Sequence, residues 1–143
     1  MNKLFYVSIV SCLFFSGCAT TQTSTNNIQT VSEDRIYSKE FFNKTEERNI
    51  PFTISRDSGI LGAACNQRVY VNNKKVFALK SGEQATIYLK PEAYEVRVDL
   101  TTSSFCPYAQ VEETVNLEPN SQPKYRISSA MSVNESLKLI KIN

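Results

Sequence analysis

The chain reads as an all-β domain, an antiparallel β-sandwich of about seven or eight short strands. Two observations predict this. From Ile50 to the end, apolar residues recur with a period of two, the spacing that puts one face of a strand on a core. Turn-forming residues interrupt that alternation at intervals of roughly 8 to 12 residues, so each apolar run is strand-length and helix content is expected to be low.

Taken in order, Phe52 and Ile54 alternate with Thr53 and Ser55 in the first run. Arg56-Asp57-Ser58-Gly59 and Gly62 follow as a turn region, with Asp57 and Ser58 as turn hydrogen-bonders and the two glycines permitting positive φ. Arg68-Val69-Tyr70-Val71 runs into Asn72-Asn73 and returns through Lys74-Lys75-Val76-Phe77-Ala78-Leu79. Asparagine tolerates positive φ, so this pair suits a two-residue type I′ hairpin, in a register that sets Val69 opposite Val76 and Tyr70 opposite Lys75. Ser81-Gly82 turns the chain again, Ile87 and Leu89 share one side of the next run, and Pro91-Glu92 makes another turn. Tyr94, Val96, Val98 and Leu100 then point one way while Glu95, Arg97 and Asp99 point the other. Val111, Val115 and Leu117 continue the alternation, Pro119-Asn120-Ser121 breaks it, and Tyr125 with Ile127 resumes it. The last strand is Leu137-Lys138-Leu139-Ile140-Lys141-Ile142.

Ahead of this region, residues 35 to 49 admit two readings. Either Ser38 caps a short helix that lays Phe41 and Phe42 on the domain, or Ile36-Tyr37 begins an edge strand. Residues 19 to 34 are almost wholly polar and bury too little apolar surface to offset ordering entropy, so they are expected to form a tether. As a flexible coil of about 16 residues it would reach roughly 20 to 25 Å. The folded domain is accordingly expected over residues 35–143.

Residues 1 to 17 have the layout of a secretory leader: Lys3 is the positive head, Leu4 to Phe15 the apolar run, and Ser16-Gly17 a small-residue cleavage site. The run is shorter than the ~20 apolar residues that span a bilayer. Phe15-Ser16-Gly17-Cys18 resembles the lipobox of bacterial lipoproteins, with Phe15 where that family usually has leucine. The resemblance implies cleavage before Cys18, a diacylglyceryl thioether on its sulfur and an amide-linked fatty acyl chain such as palmitate. Three chains hold far more firmly than the one myristoyl-sized chain that binds reversibly at about 0.8 kcal/mol per buried CH₂. Ala19 rather than aspartate follows the cysteine, which in enteric lipoproteins directs sorting to the outer membrane, with the domain expected in the periplasm. The other reading is an ordinary secretory cleavage that leaves Cys18 a plain thiol.

The sequence carries 16 basic and 14 acidic side chains and no histidine. Near-neutral charge speaks against a nucleic-acid partner, and the lack of histidine against a zinc enzyme or a Ser-His-Asp hydrolase. No catalytic residue, metal ligand or cofactor is assigned. Asp57 with Glu83, or Glu112 with Glu113, offers carboxylates for acid-base chemistry, but these read as solvated turn and strand residues, with Glu113 at a sheet edge. Cys12 leaves with the leader and Cys18 goes to lipid, so in an oxidising compartment Cys65 and Cys106 are expected to form one disulfide. A reactive thiol at Cys65 is the alternative, without a C-x-x-C motif or a histidine base to support it. That disulfide would gather Ile60, Leu61, Phe105 and Tyr108, either as a partner-binding patch or as a plug over the end of the sandwich.

The motifs Arg56-Asp57-Ser58-Gly59-x-x-Gly62-x-x-Cys65, Val69-x-Val71-Asn72-Asn73-x-Lys75-Val76, Leu79-x-x-Gly82-Glu83 and Leu89-x-Pro91-x-x-Tyr94-x-Val96 together resemble small bacterial envelope lipoproteins with a PEGA-like sandwich domain. The resemblance covers about residues 50 to 130 and implies an architecture without catalytic residues. The expected function is a membrane-anchored, non-enzymatic binding or structural module, with an envelope protein or peptidoglycan as partner. A thiol-dependent redox protein or enzyme using Cys65 or Cys106, and a small-ligand carrier, are the alternatives.

Overall fold

The computed structural model describes residues 28–59, 63–101, 106, 108–129 and 137–142. The leader, Cys18 and the junction to the domain lie outside them. Among the described residues nine strands form two sheets around one apolar core, as a sandwich of the expected class. One sheet has the order β1 (Gln29–Thr30), β5 (Glu83–Leu89), β2 (Ile50–Arg56), β8 (Lys124–Ser129) and β9 (Leu137–Ile142). The other has β4 (Lys74–Leu79), β3 (Gln67–Val71), β6 (Ala93–Leu100) and β7 (Gln110–Asn116). Among the described residues there is no α-helix, only the 3-10 turns Glu33–Arg35 and Lys39–Phe42.

The period of two becomes the core directly. Strands β2 and β5 alternate inward and outward without a break, and their antiparallel register sets Phe52 opposite Ile87 and Ile54 opposite Ala85. Val69, Phe77, Leu79, Val96 and Val98 of the other sheet are likewise fully buried. Burying each large side chain contributes about 1.5–3 kcal/mol, so this two-sided layer is the main stabilising term. Most pairings are antiparallel, but β2 pairs β8 and β1 pairs β5 in parallel. Nothing in a period of two distinguishes the two senses.

The Asn72-Asn73 hairpin forms with φ of 47° and 64°, the left-handed values of a type I′ turn. Tyr70 faces Lys75 as expected, but Val69 faces Phe77 rather than Val76, because a bulge intervenes between Val69 and Tyr70 on the pairing with β4. The cause is visible in β4, where Val76, Phe77, Ala78 and Leu79 are all buried and strict alternation is impossible. At the bulge the Val76 carbonyl accepts hydrogen bonds from the Tyr37 and Ser38 backbone N–H groups at 2.8 and 3.2 Å.

That contact belongs to a strap that runs from β1 to β2. Residues 29–31, expected in the tether, are part of the fold: Gln29 and Thr30 add to β5, and Val31 is buried in the core. The tether therefore ends earlier than the boundary at residue 34. Both readings of residues 35–49 hold in part, since Ile36 bridges Phe77 on the edge of β4 and Lys39–Phe42 forms a 3-10 turn. Phe42 meets Phe77 edge to face at 5.9 Å, and Phe41 packs beside it. Ser38 precedes that turn but does not cap it; its hydroxyl donates to the Lys75 carbonyl instead. The strap covers the exposed ladder groups of β4, an edge otherwise open to pairing with another chain.

The strand directions define two poles. One gathers the ends of β2, β4, β6 and β8 with the starts of β3, β5, β7 and β9, and the chain enters the described structure there, where the Gln29 N–H donates to the Gly82 carbonyl at 3.2 Å. The other carries the Asn72-Asn73 hairpin, the loop before β2, and the Pro91 and Asn120 turns.

Candidate functional site

At the entry pole Cys65 and Cys106 form a disulfide with Cα atoms 5.7 Å apart across a sequence separation of 41. Both are buried, and the bond ties the connection before β3 to the one between β6 and β7. Tyr108 beside it is 73% exposed and its hydroxyl donates to Gln110 Oε1 at 2.8 Å. Ile60, Leu61 and Phe105, the other members of the expected patch, lie outside the described residues.

Under the disulfide sits a set of charges that the turn reading did not anticipate. Asp57 and Glu83, expected to be solvated, are both buried and ion-paired. Glu83 faces inward on β5 in phase with Ala85 and Ile87, and both its carboxylate oxygens accept from the Arg35 guanidinium, with the Lys80 N–H donating to one of them at 2.8 Å. Arg35 Nη1 also donates to the Ala78 carbonyl of β4 at 3.0 Å, so this pair ties the two sheets together beside the strap. Arg56 is inward on β2, in phase with Phe52 and Ile54, and donates to the Cys65 and Leu79 carbonyls. Burial lowers its pKa to about 10, with Glu83 pulling the other way, so it remains cationic at neutral pH. Asp57 accepts from Arg126 at 2.7 Å, and Asp99 from Arg68 at 2.6 Å on the outer face of the second sheet. Such groups are retained in an interior only when paired and hydrogen-bonded.

The parity of Arg56 and Glu83 with apolar neighbours was the available signal for their burial. Their partners were not readable, because Arg35 is 48 residues from Glu83 and Arg126 is 69 from Asp57. Glu113 lies exposed on β7, an edge strand, as its sequence position suggested. Among the described residues no three histidine, cysteine or acidic side chains cluster as a metal site, and no helix is long and apolar enough to cross a membrane.

At the opposite pole the sheet leaves a cleft of about 420 Å³. Its origin is a register effect. Strand β8 joins β2 only from Thr53 onward, so among the described residues Ile50 and Pro51 have no strand beside them on that side. Pro51 has no N–H to leave unpaired there, which suits it to the position. Across the other ladder Pro51 faces Tyr88, so the two share the outward face of the sheet and form the floor of the cleft. The walls come from Lys44 and Asn49 in the loop before β2, and from Asn120, Ser121 and Gln122. Asn120 sits at φ 63°, and the Ser121 N–H and hydroxyl both bond the Glu118 carbonyl, which fixes the turn. Lys44 has no carboxylate partner among the described residues, whereas Lys90 next to the cleft pairs with Glu47 at 2.6 Å. The cleft depends on where β8 begins beside β2, which a period of two does not mark in the sequence.

Comparison with protein-family models, with curated proteins and with solved structures gives no match.

Proposed function

We propose that the protein is a lipid-anchored module of the bacterial envelope, held in the outer membrane through Cys18 with its domain in the periplasm, and that it binds a partner rather than catalysing a reaction. The observation that carries this reading is the division of the cysteines. Phe15-Ser16-Gly17-Cys18 closes a secretory leader, and Cys65 and Cys106 are joined in a disulfide of the kind that persists in oxidising compartments. A role that uses a thiolate as nucleophile would need one of those sulfurs free. The buried Glu83, Asp57 and Asp99 are each engaged by an arginine, which supports a structural use for them. The PEGA-like relationship is part of this proposal and rests on the hairpin and turn motifs of residues 50 to 130. The partner is an envelope protein or the peptidoglycan.

The chain enters the domain at the disulfide pole, so a tether from Cys18 would hold that pole toward the bilayer and leave the cleft facing away. With about ten residues between Cys18 and Ile28, a flexible coil would reach roughly 15 to 20 Å. Replacing Cys18 by serine tests the anchor. The Cys18→Ser protein is expected to leave the membrane fraction for the soluble one with its fold intact. Retention of Cys18→Ser in membranes at the level of the native chain would contradict the proposal.

A further inference from the structure

We propose that the cleft at the pole opposite the chain entry binds an acidic saccharide, a sugar unit bearing a carboxylate. This deepens the envelope reading by naming a ligand class, and it rests on that reading for its biological setting. A pyranose has an apolar face of C–H groups and a rim of hydroxyls. The cleft offers the complement of both: the Tyr88 ring and Pro51 lie side by side across the β2–β5 ladder as a floor, and carboxamides stand around it. Asn49, Asn120 and Gln122 each present a donor and an acceptor, as a pair of neighbouring hydroxyls requires, and none of the three uses its side chain in a hydrogen bond among the described residues. The Ser121 hydroxyl donates to Glu118, so it meets a ligand as an acceptor.

The charge decides the class. Among the described residues Lys44 is the only ionisable cation on the walls and no aspartate or glutamate lines the cleft, while the neighbouring Lys90 is already matched by Glu47. A neutral sugar would leave the Lys44 ammonium unused, whereas a carboxylate would take a charge-assisted hydrogen bond from it. The volume of about 420 Å³ lies within the range of small-ligand sites and suits one or two sugar units. Floor and one wall are carried by paired strands and a hydrogen-bonded turn, so the groups are positioned before a ligand arrives.

The test is calorimetric titration of the full chain, purified in detergent, with three probes: the disaccharide of N-acetylglucosamine and N-acetylmuramic acid, the same disaccharide with its carboxylate converted to a primary amide, and the neutral N-acetylglucosamine dimer. Saturable binding is expected for the acid, weakened about five- to tenfold in the amide and in the neutral dimer, in line with loss of one charge-assisted hydrogen bond. Lys44→Gln should remove the preference for the acid, and Tyr88→Ala should weaken all three probes about tenfold or more. Gln122→Ala, an exposed substitution, gives a second reading should Tyr88→Ala fold poorly, with a loss of about two- to fivefold expected. Equal affinity for acid and amide, binding untouched by Lys44→Gln and Gln122→Ala, or no saturable binding of the acid up to about 10 mM would each overturn the proposal. A peptide carboxylate as the true ligand would appear as the last of these results. Failure of the anchor reading shows in membrane fractionation alone, and failure of this one in the titration alone.

Discussion

Burial raises the pKa of the Glu83 carboxyl, but the Arg35 hydrogen bonds, the Lys80 N–H and the nearby positive charge outweigh it, so the group titrates below its ordinary value. Asp57 shows the opposite balance, because burial raises it by more than Arg126 and Ser128 lower it. The two therefore act on stability with opposite sign. For Glu83 the unfolded chain binds the proton more readily, so its contribution is full above the unfolded carboxyl value of about 4.3 and is lost as the pH falls through the lower folded value. For Asp57 the folded chain binds the proton more readily, so acidification relieves a cost. In urea unfolding between about pH 3 and 6, Glu83→Gln is expected to flatten the acid loss of stability and Asp57→Asn to steepen it. Glu83→Gln should also cost about 3–5 kcal/mol at neutral pH, since it leaves the Arg35 charge buried without its partner. Identical acid profiles for both variants and the native chain would show that neither carboxyl is coupled to the fold. From its turn position Glu83 reads as solvated, although it is in phase with Ala85 and Ile87; its partner was not legible, because nothing local in Glu33-Asp34-Arg35 marks the arginine as buried.

Among the elements, the strands were the most legible, since the apolar phase of β2, β5 and β6 translates directly into the core face. The turns followed from residue chemistry, and they carry a measurable cost. Asn73 holds φ 64°, so Asn73→Gly should leave stability unchanged or slightly higher, whereas the branched side chain of Asn73→Val should lower it by about 1–2 kcal/mol. Equal thermal midpoints for the glycine and valine variants would contradict a left-handed requirement there. What periodicity left open was pairing. The parallel contact of β2 with β8 joins strands about 70 residues apart in the chain, and the bulge that slides Val69 past Val76 follows from the four consecutive buried residues of β4, where a period of two breaks down. Strand β1, two residues in a polar run, exists because β5 offers an edge, not because its own sequence prefers a strand. The disulfide links two connections at one pole, and its loss in the Cys65→Ser, Cys106→Ser double variant should cost roughly 3–4.7 kcal/mol in the chain-entropy account. A native chain that reacts with maleimide at Cys65 or Cys106 before reduction would instead favour the thiol-dependent alternative.

At the scale of the whole molecule, the fold separates an entry pole stapled by Cys65–Cys106 from a pole that carries the cleft. A lipid on Cys18 would give that polarity a direction, with the staple toward the bilayer and the cleft toward whatever the module binds. The class of fold was readable from end to end of the strand region, while the polarity needed strand order and the place where β1 joins the sheet. The covalent state of the native protein tests the lipid-anchored module most directly, and the intact mass of the chain isolated from membranes reports it in one measurement. The expected mass is that of a chain that starts at Cys18, carries a diacylglyceryl group and one further acyl chain, and is two hydrogens lighter than its fully reduced form. A mass that retains residues 1–17, or that begins at Cys18 without acyl groups, would contradict it.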